Sequence, residues 1–382
     1  MNKKFKAAVL TEQKKPLEIW EIKDRKVIGY EVAVKLISSC ICGAQVNEFL
    51  GKKGPDKFLP HFMGHEGYGI VESVGEKVTN VKKDDFVILH WRPGAGGSIP
   101  GSKFETTSGS SVGAGPVTTF SEYTVIGENR CTPIEPIEEL KDVYPLLGCA
   151  LPTAYGVLVK EAQVTKDNSI LIFGAGGLGT ALTFICDALD LQSPTVVDIF
   201  PDKKKQVERF GGQFVALEDI DEIKERKFEL VLETTGVASI IGQTPSYCSK
   251  NGQIGLIGQS KVNEDVIFNN FLQFYDGMRM FSSQGGLSDP AVDTHILHEL
   301  LKADIKKSND LISHYVSIDS INEGFENKKV KLSKNFLDSK NDITKNIQKY
   351  SISLSDQIYQ IIMKEKIKGN INDFKEIVGE DS

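Results

Sequence analysis

Three residues suited to holding a metal ion stand in telling settings. Cys42 follows an apolar strand in Cys40-Ile41-Cys42-Gly43, His65 sits in the turn Gly64-His65-Glu66-Gly67, and Cys149 lies in Leu147-Gly148-Cys149-Ala150. Two thiolates and an imidazole would neutralise zinc and leave one position open for a substrate oxygen, the arrangement of a catalytic site. The three are far apart in sequence, with no local CxxC or HxxxH, so spacing alone does not bring them together. Taken singly, each cysteine reads equally well as a small core hydrophobe, and His65 as a satisfied turn residue.

A second constellation concerns phosphate. Gly174-Ala175-Gly176-Gly177-Leu178-Gly179 fits G-x-G-x-x-G, preceded by the apolar run Ser169–Phe173 and followed by a helical pattern through Leu178, Leu182 and Ile185. Gly174 would make the tight turn, Gly176 would admit a pyrophosphate to the backbone, and Gly179 would let helix and strand pack closely. The helix N-terminus then offers free N–H groups to the phosphates. Asp198, at the end of the next strand, is placed to accept from the ribose hydroxyls and to repel a 2′-phosphate, so NAD is expected over NADP. Asp198 as a plain capping residue is the competing reading. Lys203, one turn into the following helix, is either a cofactor contact or a solvated lysine.

The elements that must position these groups change character along the chain. Glu31–Ser38, Tyr68–Val74 and Asp85–Leu89 alternate in the manner of half-buried strands, and the first ten residues read as another strand rather than a signal peptide. Residues 92–116, rich in Gly and Ser, read as a long loop. From about Thr153, short buried runs (Ser169–Phe173, Thr195–Ile199, Phe228–Leu232, Gln253–Ile257) alternate with helices, such as Asp202–Phe210. That is the pattern of a doubly wound parallel α/β sheet. A helix is expected after Asp289 and a short strand at His314–Ile318. Leu354, Ile358, Ile361 and Ile362 fall on one helical face, so residues 351–368 are expected to form an amphipathic helix.

The 382 residues suffice for about two domains. A net charge of −7 with interleaved acids and bases excludes a nucleic-acid stripe. No apolar run is long enough for a membrane helix. Six scattered cysteines fit a reducing compartment, so a cytoplasmic location is expected.

Several stretches together resemble the zinc-containing alcohol dehydrogenases of the medium-chain dehydrogenase/reductase family: MGHEGYGIVESVGEKVTNVKKDDFVIL, TTFSEYTVIGENR, LLGCALPTAYGVLVKEAQV, IFGAGGLG, VVDIFPDKK and ISHYVSIDSINEGFEN. The resemblance implies a GroES-like catalytic domain (1–152 and 289–339) interrupted by a Rossmann domain (153–288). A helical extension, 340–382, would follow. It implies zinc on Cys42, His65 and Cys149, with Glu66 as a nearby carboxylate able to reach the metal, and a substrate pocket including Trp91 and Phe120. The activity implied is hydride transfer between NAD(H) and a small alcohol or carbonyl compound. A homo-oligomer, dimer or tetramer, is also expected.

The chain departs from that family in two places. The four cysteines of a structural zinc lobe are missing from 92–116, so one zinc per chain is expected. Where relatives carry a hydroxyl residue, an aspartate and a histidine after the first zinc cysteine, this chain has Ala44, Gln45 and Asn47, so the usual proton relay is absent. Arg92 is a candidate grip for an anionic group on a sugar- or polyol-like substrate, or else a solvated loop arginine. The rival functions are a non-catalytic NAD-binding protein and an NADPH-preferring carbonyl reductase.

Overall fold

The computed structural model describes residues 3–268 and 271–326, and the backbone of Tyr359–Ile362. Three sheets organise it. The parallel one has six strands, Gln213–Ala216, Thr195–Asp198, Ile170–Phe173, Phe228–Glu233, Cys248–Leu256 and Arg279–Ser282 in spatial order, every neighbour parallel. Counted along the chain that order is 3-2-1-4-5-6, the doubly wound nucleotide-binding arrangement, whose switch point lies beside the central Ile170–Phe173. All four of its side chains are buried, each contributing about 1.5–3 kcal/mol through loss of apolar surface to water. The helix Gly177–Ala188 packs on this sheet through Ala181, Leu182 and Ile185.

The amino-terminal half forms one further sheet and, with His314–Ser317 and Tyr359–Ile362, another. One pairs Glu18–Lys23, Lys4–Leu10, His61–Phe62, Ser111–Gly113 and Lys103–Glu105. The stretch 92–116 is therefore not wholly a loop. Its Lys103–Glu105 and Ser111–Gly113 strands make a hairpin, with Phe104 and Val112 buried under the sheet. The remaining sheet is built on the long strand Glu31–Ile41, flanked by Gly67–Val74 and, over Glu31–Lys35, by Tyr123–Gly127. The expected helix after Asp289 runs Pro290–Ala303, with the Asp289 side chain accepting from the Ala291 N–H at its start. Among the described residues no helix is long and apolar enough to cross a membrane.

The carboxyl-terminal helix expected over 351–368 is corrected in part. Tyr359–Ile362 is a strand, antiparallel to Ser38–Ile41 and parallel to His314–Ser317. The cause is a backbone requirement set elsewhere. Tyr123–Gly127 covers only the first half of Glu31–Ile41, and the N–H and C=O groups of Ser38–Ile41 need partners of their own. Leu354, Ile358 and the rest of 340–382 lie outside the described residues.

Candidate active site

The long strand delivers Cys42. Directly after Ile41 the backbone leaves the sheet, and Cys42 becomes the N-cap of the helix Gly43–Phe49. The buried Gln45 side chain accepts from the Cys42 N–H at 3.3 Å, so this amide secures the cysteine's backbone. His65 and Glu66 come from the turn before Gly67–Val74. Ser39 on the long strand holds that turn by donating from Oγ to the Glu66 carbonyl at 2.7 Å. Cys149 stands between the 3-10 turn Tyr144–Gly148 and the helix Ala150–Gly156. Gly148 is required there, since a Cβ would lie 2.2 Å from the Leu89 carbonyl oxygen.

Those three local structures bring one ligand atom each from Cys42, His65, Glu66 and Cys149 to within 4.8 Å of one another. The donor set fits zinc. His65 Nε2 is buried with no hydrogen-bond partner, an arrangement that costs about 1–3 kcal/mol unless something accepts or binds there. A hydrogen bond from Cys149 draws Cys42 well below the ordinary thiol range. The same contact, with burial, pushes Cys149 well above it. A second group, Glu48, Asp56 and His61, also draws together. Here His61 is engaged at both nitrogens, with Nε2 2.7 Å from Asp56 Oδ2 and Nδ1 2.7 Å from the Phe62 carbonyl.

At the switch point, Gly174 has φ +98°, and a Cβ on Gly179 would lie 1.8 Å from the Gly174 carbonyl. No side chain fits either place. Asp198 does cap backbone: Oδ2 accepts from the Ala175 N–H at 2.7 Å and Oδ1 from the Phe200 N–H at 2.9 Å. Burial raises its pKa, against those two bonds and the charge of Lys203. Lys203 is itself buried, not a solvated helix lysine.

Glu233 closes the neighbouring strand Phe228–Glu233. Burial pushes its pKa from an ordinary 4.5 up to about 7, although Thr235 and Gly236 donate to it. The folded protein therefore retains a proton that the unfolded chain has released as pH rises past 4.5. Stability falls through that window by about 3 kcal/mol, and the loss is complete only above the folded pKa. Glu233→Gln is expected to flatten the decline in melting temperature between about pH 5 and 8. Parallel declines in both proteins would contradict this.

A cavity of about 410 Å³ joins the two constellations. Cys42, His65, Glu66 and Cys149 line it together with Gly177, Leu178 and Thr234. Trp91 lines it as expected, and so do Ala44 and Asn47. Phe120 does not. It is fully buried against Phe325, because its backbone clamps Lys4–Leu10 through a bond from the Ala8 N–H. Arg92 is also placed otherwise than a substrate grip requires. Its guanidinium lies over the Trp91 ring and donates to the Ser288 and Gln284 carbonyls at 2.9 and 2.7 Å. Lys53, Thr153, Gln259 and Gln284 line the cavity without any signal in local sequence.

Residues 29–136 match the alcohol dehydrogenase GroES-like domain. An alcohol dehydrogenase zinc-binding domain protein from Burkholderia ambifaria superposes with a TM-score of 0.80 at 19% identity, over 96% of this chain and 100% of that one. This is an alcohol dehydrogenase fold. Benzyl alcohol dehydrogenase from Acinetobacter calcoaceticus shares it at a TM-score of 0.76, 21% identity, 95% of this chain and 100% of its own. For 2R,3R-butanediol dehydrogenase from Bacillus subtilis the values are 0.71, 20%, 94% and 100%. The alcohol dehydrogenase fold accounts for the GroES-like half, the parallel sheet and the cleft between them.

Proposed function

We propose that this chain is a zinc-dependent oxidoreductase moving a hydride between NAD(H) and an alcohol or carbonyl compound. One observation carries the reading: a single cavity is lined both by a Cys₂His set with a neighbouring carboxylate and by the start of the nucleotide-binding helix. Zinc on Cys42, His65 and Cys149 would polarise the substrate oxygen, and nicotinamide would give or take the hydride. Elemental analysis should find about one zinc per chain; two, or none at full activity, would overturn the assignment.

The chain's own residues do the rest. Trp91 walls the cavity, held by Arg92. Glu66 is buried beside the ligand set. Asp198 would take the adenosine ribose, favouring NAD over NADP. Neither Ala44 nor Asn47, which line the cavity, titrates near neutrality. The substrate's proton then leaves through a water or a second hydroxyl on the substrate. Ala44→Ser should raise kcat for a monohydric alcohol by about tenfold and leave a polyol little changed. If it slows both equally, alanine is there to make room.

The same reading divides the chain into a catalytic part (1–152 and 289–339) and a nucleotide part (153–288), in a cytoplasmic enzyme with free cysteines. It also includes self-association. Val262, Ile267, Phe271, Leu272 and Tyr275 are exposed on the nucleotide-binding half, in the segment leading to its edge strand Arg279–Ser282. Exposed apolar side chains of that number suit a second copy of the chain.

A further inference from the structure

We propose that the substrate carries an anionic group, a carboxylate or a phosphate, and that Lys53 holds it in the cavity shared with the cysteine cluster. The inference rests on the oxidoreductase reading and specifies its substrate class. Among the described residues, Lys53 is the one lysine or arginine lining the cavity. It is exposed, which puts its ammonium where the cavity meets solvent. Among the described residues it has no hydrogen-bond or ion-pair partner, whereas Arg92, beside the wall, is spent on carbonyls and the Trp91 ring, and Arg130 on the Trp91 carbonyl.

The backbone under this free side chain is fixed from several directions. Gly51 N–H donates to Glu48, Lys52 N–H to Asn47 and Gly54 N–H to Gly51, continuing the helix that begins at Cys42 into a tight turn. Gln13 bridges the two ends of that turn, donating from Nε2 to the Glu48 and Gly54 carbonyls at 3.1 Å each. From the nucleotide-binding half, the Val262 N–H donates to the Lys52 carbonyl at 3.1 Å. A flexible cation on an anchored turn, connected by one short helix to a metal-ligand cysteine, can retain a charged tail while the reacting end of the molecule lies among the ligands. The charge-assisted bond is partly exposed, so its effect is on the order of tenfold and weakens with salt.

The test compares the holoenzyme with Lys53→Met and Lys53→Glu on matched pairs: succinic semialdehyde against butanal, and glyceraldehyde 3-phosphate against glyceraldehyde. The parent should prefer at least one anionic member by about tenfold in kcat/KM. Lys53→Met should erase that preference, and Lys53→Glu should invert it. Equal losses for charged and neutral members would overturn the proposal. Binding is read separately by titrating tryptophan fluorescence, from Trp91 in the cavity wall, with succinate and with inorganic phosphate in the presence of NADH. Lys53-dependent binding without turnover of any carbonyl leaves the anion site standing and removes the oxidoreductase reading. Turnover with no Lys53-dependent anion binding does the reverse. If Lys53→Met weakens NADH itself by the same factor, the lysine serves the cofactor's phosphates and the proposal fails.

Discussion

Cys149→Ser is expected to yield a folded chain with depleted zinc and turnover reduced roughly a thousandfold, equivalent to about 4 kcal/mol of lost barrier lowering. The serine is close to isosteric, so the 3-10 turn Tyr144–Gly148 and the Thr153 hydroxyl, which donates to the Cys149 carbonyl at 2.7 Å, keep their places. What disappears is a thiolate. A serine hydroxyl stays protonated at neutral pH, leaving the ion with one anionic and one neutral ligand plus Glu66 nearby. Replacing zinc with cobalt(II) gives a second readout, because thiolate ligation colours the metal. The parent's charge-transfer absorption should diminish in the variant. A variant with full metal and full turnover would remove Cys149 from the ligand set.

Asp198→Gly has the next largest expected effect, and the structure divides it into two parts. Both carboxylate oxygens are already engaged with the Ala175 and Phe200 N–H groups, which hold the phosphate turn and the following helix. Glycine removes those bonds along with the proposed ribose acceptor. Efficiency with NAD should fall roughly tenfold to a hundredfold, NADP should be tolerated better than before, and the melting temperature should drop. Asp198→Asn separates the two parts. Its amide oxygen can keep one backbone bond while the negative charge is lost, so discrimination against NADP should relax with a smaller thermal loss. A parent enzyme that turns over faster with NADP than with NAD at equal low concentration would contradict the assigned role.

Much of this was legible in the chain because the signals were local. Ile170–Phe173 is buried on all sides, so it reads as an unbroken apolar run, and the glycine turn after it declares itself by steric need. The cysteine cluster was legible only through resemblance, since Cys42, His65 and Cys149 are assembled by three separate turns. Other features depended on partners that no window of sequence contains. Tyr359–Ile362 is extended because Ser38–Ile41 needs an edge partner, a requirement that outweighs the helical spacing of its isoleucines. The hairpin of Lys103–Glu105 and Ser111–Gly113 is too short to stand out from its glycines and serines. Phe120 was placed in the pocket by resemblance, whereas it packs against Phe325; Arg92, read as either an anion grip or a solvated loop arginine, is tied instead to the Ser288 and Gln284 carbonyls. Lys53 reaches the cavity through a turn held by Gln13 and Val262, both remote in sequence.

The most direct test of the central claim is NADH absorbance followed with a panel of aldehydes and ketones, before and after chelation and again after zinc is restored. The account predicts carbonyl-dependent loss of NADH that stops on chelation and returns with zinc. Undiminished turnover by the chelated protein, or no change in NADH with any carbonyl in the panel, would contradict it.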